Sequence, residues 1–330
     1  MVSFAALITA ALVASAMAHD MSPAEIARRN THAIAARATL SKCSEKLKAR
    51  DFVERRLARR DQLIGQHVQK RNLEFVQDLS RRQDTNSSVC ILAPEVTVGP
   101  YYLGAELIRE DISEGGAGIP LLMDFQFIDV NTCNPVPQAM IDIWHCNSTG
   151  VYSGYEVEGT AGESFNRGLQ PTDSDGIMHM KTSFPGWYAG RATHIHLAAH
   201  INGTVNTEKM IYEGGMTTHI GQVFMPEDIL SQIDTAETYN TNKVTRMKNS
   251  EDGIFAEEST GNNAVADVTM LGASITDGFL ATISIGIDLS SNQTDALNGG
   301  AGGPGGSGPG GAPPSGVPSG GPRPSGSASA

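Results

Sequence analysis

The stretch richest in reactive side chains is Pro185-Gly186-Trp187-Tyr188-Ala189-Gly190-Arg191-Ala192-Thr193-His194-Ile195-His196. In an extended strand, residues two apart project to the same face, so His194 and His196 can reach one metal ion together. Tyr188 lies six residues before His194, and a glycine-containing bend between them allows the phenol to fold back toward the imidazoles. By itself the pattern stays open. A His-x-His strand also describes a polar surface face, Tyr188 also reads as a packing partner of Trp187, and Arg191 as half of a surface salt bridge.

Three other segments narrow the choice. They are Gly99-Pro100-Tyr101-Tyr102, then Asp142-Ile143-Trp144-His145-Cys146-Asn147 leading to Gly150-Val151-Tyr152, and Gly221-Gln222-Val223-Phe224. With the PGWY…HIH stretch between the last two, the set resembles the intradiol ring-cleavage dioxygenases, the family of catechol and protocatechuate dioxygenases. The resemblance covers roughly residues 90–230, and Ala281 to Leu289 could supply a closing strand. It implies non-haem Fe(III) held by Tyr152, Tyr188, His194 and His196, with no organic cofactor. It also implies a catechol-type substrate and O2, with the ring opened between its two hydroxyls to a cis,cis-muconate-type diacid. In the same pattern Tyr188 is the ligand that departs when substrate binds, Arg191 faces the substrate, and Gln222 hydrogen-bonds beside it.

The chemistry of that donor set is coherent. Ferric iron is a hard ion, phenolate oxygen suits it, and haem iron held by tyrosine is a related precedent. A free tyrosine ionises near pH ~10, but coordination can hold it deprotonated at neutral pH. Two tyrosinates and a hydroxide would balance the ion while both histidines stay neutral. The Fe(II) pattern of two histidines and one carboxylate is not evident. Arg191 brings a permanent positive charge that can stabilise negative charge developing on the ring. Tyr155 competes with Tyr152 for its role, and His200 shares the histidine face only if the strand continues. Tyr101, Tyr102 and Trp187 fit a pocket wall and ordinary packing equally well.

Strands must position these groups. Leu121 to Val130 alternates, with Met123, Phe125 and Phe127 on one face, and Ile141–Trp144, His194–Leu197, Val265 to Met270 and Ala281 to Leu289 repeat the pattern. Asn147-Ser148-Thr149-Gly150 and Asp173-Ser174-Asp175-Gly176 are turn signals. The sequence therefore predicts a mostly β protein, an antiparallel β-sandwich over residues 86–296, preceded by a helical segment over 19–85. That segment opens on Ser22-Pro23-Ala24-Glu25, a capping box with proline at the first helical position. Ile26, Ala33, Leu40 and Leu47 then recur every seven residues, which favours packing against another helix or a second subunit, hence a homodimer as one option. The Gly/Pro/Ser-rich residues 297–330 lack apolar side chains and read as a disordered tail.

Residues 1–18, MVSFAALITAALVASAMA, read as a signal peptide, which makes the expected location extracellular. Four sequons, at Asn86, Asn147, Asn202 and Asn292, agree with a glycoprotein. Four cysteines in an oxidising compartment favour disulfides, here expected as Cys133–Cys146 and Cys43–Cys90. The net charge of −12 is uneven: residues 19–85 carry fifteen Lys/Arg against nine Asp/Glu, which leaves the remainder strongly acidic. That balance argues against nucleic acid as a partner, and no later segment is apolar enough to span a membrane. Two other classes remain. One is a β-sandwich binding module without turnover. The other is a different secreted metalloenzyme using zinc or copper, the latter through an exposed His19.

Overall fold

Alternation along the strands decides the architecture. In β1 (Pro120–Asp129), Leu121, Met123, Phe125 and Phe127 point one way and are fully buried. Their partners across the core come from β2 (Met140–Trp144) through Ile141 and Ile143, and from β5 (His194–Ile201) through Ile195, Leu197 and Ala199. The computed structural model of this protein describes Cys43 and residues 52–67, 98–259 and 263–300.

Two four-stranded sheets face each other across this core. One contains β1, β4 (Ile177–Ser183), β9 (Asp267–Met270) and β10 (Phe279–Ile287) in the order β4-β1-β10-β9. The other contains β2, β3 (Arg167–Pro171), β5 and β8 (Met216–Phe224) in the order β3-β2-β5-β8. A small hairpin of β6 (Thr204–Asn206) and β7 (Ile211–Glu213) links β5 to β8. Ladders are antiparallel except β1 with β10, which run parallel. The predicted sandwich is therefore present. Phe125, Phe127, Phe184 and Phe279 are fully buried in its core, each contributing about 1.5–3 kcal/mol by leaving water.

The outer faces are covered as well. Helix α1 (Phe52–His67) lies on the first sheet, where Ile64 packs with Leu122, Leu271 and Leu280. Arg59 on the same helix pairs with Asp124 at 3.3 Å and with Asp173 at 2.5 Å, which anchors the helix to this sheet. Three short α-helices also belong to the described fold: α2 (Glu227–Ile233), α3 (Gly253–Glu258) and α4 (Thr294–Gly300). Helix α4 shortens the expected tail. Residues 297–300 belong to it, because Leu297 is buried with Tyr102, Trp144 and Ile220. The expected signal peptide, the seven-residue repeat, Cys90, Asn86 and residues 301–330 lie outside the described residues.

The disulfide expectation is overturned. Cys43 is bonded to Cys133, and Cys146 is free and buried. Strand β2 runs between Cys133 and Cys146, and its five residues at about 3.3 Å each carry the chain past the ~7 Å Cα limit for a bridge. The strand that the sequence predicts at Ile141–Trp144 thus itself separates the two cysteines. The bond closes a span of 90 residues and ties the N-terminal segment to the end of β1. Replacing Cys133 by Ser should lower unfolding free energy by about 2–4 kcal/mol in urea titration. Non-reducing peptide mapping should link Cys43 to Cys133 and leave Cys146 alkylatable after denaturation; a Cys133–Cys146 peptide would contradict the assignment.

Candidate metal centre

Strand β5 is buried on both faces. Its odd-numbered residues fill the core between the sheets, so its even-numbered ones, His194 and His196, project from the outer face of the second sheet. Register places Trp144, His196 and Gln222 side by side across β2, β5 and β8, with His194 opposite Phe224 one row away. Trp144 stacks on His196 at 5.0 Å with an interplanar angle of 5°. The ring orientation of His196 is thus set by packing.

Two loops close over this face and bring the tyrosines. Asn147 Oδ1 accepts from Thr149 N, Thr149 Oγ1 and Val151 N, which winds the tight turn that the sequence signals. Gly150 in that turn has φ +87°, and a Cβ there would lie 2.1 Å from Trp187 O. Gly186 meets the same loop from the other side, where a Cβ would lie 2.5 Å from Ser148 O. Only glycine at both positions lets the Tyr152 and Tyr188 loops touch backbone to backbone. This close approach is what delivers two phenols to two imidazoles on a different element.

The four side chains converge. His194 Nε2 is 3.0 Å from His196 Nε2, and Tyr188 Oη is 3.3 Å from His194 Nε2. Tyr152 lies edge-on to Tyr188 with ring centroids 5.7 Å apart, and 6.4 Å from His196. His194 Nδ1 is 2.6 Å from the Ala192 carbonyl, which can only accept, so Nδ1 carries the proton and the Nε2 lone pair faces the cluster. Tyr152 Oη is buried and makes no hydrogen bond of good geometry, although the Tyr188 phenol is close enough to act on it electrostatically. Tyr155 differs: its phenol donates to the Tyr102 carbonyl at 3.1 Å.

Burial opposes ionisation of both central phenols. It pushes Tyr188 up to about 12, against the pull of Arg191, and holds Tyr152 well above the usual tyrosine value, with Tyr188 adding to the effect. Phenolates here call for a strong positive charge at the centre. Two phenol oxygens, one of them the Tyr152 hydroxyl without a hydrogen bond of good geometry, and two imidazole nitrogens fit a hard trivalent cation. Tyr188 is partly exposed, whereas Tyr152, His194 and His196 are buried.

Arg191 and Gln222 also meet. Arg191 donates through an Nη to Gln222 Oε1 at 2.5 Å and through Nε to Asp252 Oδ2 at 2.8 Å. Its other Nη is buried without a partner, a donor available to an anionic ligand. Asp252 Oδ2 also accepts from Ala192 N, and Oδ1 caps α3 through Ile254 N and Phe255 N. Glu258, at the end of that helix, accepts from Gln222 N at 2.8 Å. Tyr101 stacks on Tyr152 at 4.2 Å, while Trp187 Nε1 donates to the Val244 carbonyl and its ring joins the core. His200 stays on β5 but outside the cluster, next to Thr217. Asp252 and Glu258 are the groups that sequence reasoning missed. The visible signal was Asp252-Gly253 as a helix cap; its 60-residue separation from Ala192 hid the contact.

Comparison with known proteins bears on the family. A family model described as Dioxygenase matches residues 99–266, half of the chain. The structure of an intradiol ring-cleavage dioxygenase from Tetranychus urticae shares 30% identity, with 62% of this chain and 98% of that chain covered and a TM-score of 0.54. The dioxygenase domain of a dioxygenase–carbohydrate-binding protein fusion from Streptomyces sp. SirexAA-E shares 20%, over 60% of this chain and 99% of that one, with a TM-score of 0.42. For hydroxyquinol 1,2-dioxygenase from Pseudomonas putida the values are 16%, 65%, 71% and 0.41. A search of curated proteins finds no match.

The Arg191–Asp252 pair yields a quantitative expectation. Asp252→Ala would cost about 1 kcal/mol if the carboxylate only capped α3. Leaving Arg191 buried and uncompensated raises the expected loss to about 3–5 kcal/mol by urea denaturation. A loss near the lower figure would show that the pair does not anchor Arg191.

Proposed function

The chain belongs to the intradiol ring-cleavage dioxygenases, and from that premise we propose that it is a secreted Fe(III) enzyme opening catechol-type rings with O2 between their two hydroxyls. The chain is thus an oxidoreductase, and its family acts on catechol-type substrates with non-haem iron. The finer reading rests on one observation above all: Tyr152, Tyr188, His194 and His196 converge at one buried point.

In this reading those four residues hold the iron, which when bound supplies Lewis acidity toward both substrate oxygens and activates the ring toward O2. His194 and His196 remain neutral donors, the first oriented by the Ala192 carbonyl and the second by Trp144. Tyr152, stacked under Tyr101, stays in place. Tyr188, the partly exposed member, swings out and carries away one substrate proton on its Oη. Arg191 presents its unpaired N–H to negative charge developing on the ring, and Gln222 fixes the guanidinium in that pose. Overall, the carbon–carbon bond between the hydroxyl-bearing carbons breaks and both atoms of O2 enter the product, a cis,cis-muconate-type diacid.

Secretion is supported by the apolar N-terminal run and by the Cys43–Cys133 bond, since disulfides persist in oxidising compartments. His196→Ala tests the assignment of the centre. The variant should lose bound iron and catechol-dependent O2 uptake together, by elemental analysis and an oxygen electrode. An iron-replete, active variant would contradict it.

A further inference from the structure

A polar cavity of about 230 Å³ opens on the same outer sheet face beyond Tyr102. It lies between the β7–β8 turn and α4, and its polar wall is Glu106, Asp142, His200 and Thr217. The ring of Tyr102 stands edge-on to Trp144 at 5.0 Å, so these two aromatics divide the cavity from the histidine cluster.

Asp142 Oδ1 and His200 Nε2 are buried without a hydrogen bond of good geometry, although the Tyr102 hydroxyl and the Ile143 amide do reach the Asp142 carboxylate. Asp142 is 2% exposed and His200 9%. Asp142 Oδ2 lies 3.9 Å from His200 Nε2, too long for the two to satisfy each other. Buried polar atoms without partners are rare in native folds, and a bound group is one explanation.

Charge points to the class of group. Arg167 is the nearest buried cation, yet it donates to Ser153 O, Ser153 Oγ and Tyr101 O and stands 3.9 Å from Glu106. Burial keeps His200 neutral, lowering it to about 4. Arg109 is offset by Glu114, 2.6 Å away, so with both carboxylates ionised the site keeps one negative charge beyond that of Arg167. Burial also pushes Glu106 up to about 7 and Asp142 well above the carboxylate range, so each holds a proton readily unless a cation takes its place.

We propose that this cavity binds a small primary ammonium ion through Asp142 Oδ1, the Glu106 carboxylate and His200 Nε2. An ammonium has three N–H donors for those three acceptors. His200 offers Nε2 as an acceptor when its Nδ1 donates to Thr217 Oγ1, 3.1 Å away. Tyr102 and Tyr212 add aromatic walls that favour a cation.

The test is calorimetric titration of the full chain with methylammonium chloride, at a pH above the Glu106 value of about 7. Sodium chloride, tetramethylammonium chloride and calcium chloride at equal ionic strength serve as references. Saturable one-to-one binding is expected for methylammonium, with tetramethylammonium weaker by about tenfold or more, the weight of one charge-assisted hydrogen bond. Asp142→Asn and Glu106→Gln should each weaken methylammonium by a similar factor, and Glu156→Gln, an exposed carboxylate, should not. Either of the first two variants suffices if the other does not fold. Heats equal to sodium chloride, binding unchanged in the folded variants, or saturable binding of calcium alone would overturn the proposal.

Discussion

The outer face of β5 holds two histidines where a strand of a sandwich would ordinarily meet water. Both are buried, with Nε2 atoms 3.0 Å apart, so the imidazoles must find partners within the protein or in a group it holds. That requirement explains the cover built above them. Two loops meet backbone to backbone at Gly150 and Gly186, Tyr152 and Tyr188 ride on those loops, and Tyr101 and Trp144 stack beneath and beside. The core between the sheets is indifferent to all of this. It uses the odd-numbered residues of β5 and leaves the even-numbered ones to chemistry.

A second layer fixes charge. Asp252 caps α3 with one oxygen and holds Arg191 and the Ala192 amide with the other, so one carboxylate couples helix position to guanidinium position. Ala192 in turn offers its carbonyl to His194 Nδ1. The peptide unit around Ala192 thereby connects the charged pair to the tautomer of a central imidazole. The proposed division of labour between a fixed Tyr152 and a mobile Tyr188 is the one the resemblance implies, and Tyr188 is the more exposed of the two.

Local patterns carried most of what the sequence revealed. Alternation identified the strands, since its cause is the period of two within a single element. The turns at Asn147 and Asp173 were legible because the side chain that winds each turn sits inside it. The histidine pair was legible for the same reason, and family resemblance supplied the two tyrosines. What failed was non-local. Cys133 bonds a residue 90 positions away, and no spacing rule selects that partner over Cys146. Asp252 reaches Arg191 across 61 positions, and the orphaned acceptors around His200 appear only once α4 and the β7–β8 turn have been packed together.

The central claim is that two phenols and two imidazoles hold ferric iron that a catechol can reach. The most direct measurement is the visible absorption spectrum of the purified protein, before and after catechol is added without oxygen. Tyrosinate bound to Fe(III) should give a charge-transfer band that colours the protein and shifts when catechol binds. A colourless protein with full metal occupancy, or a band that catechol leaves unmoved, would contradict the account.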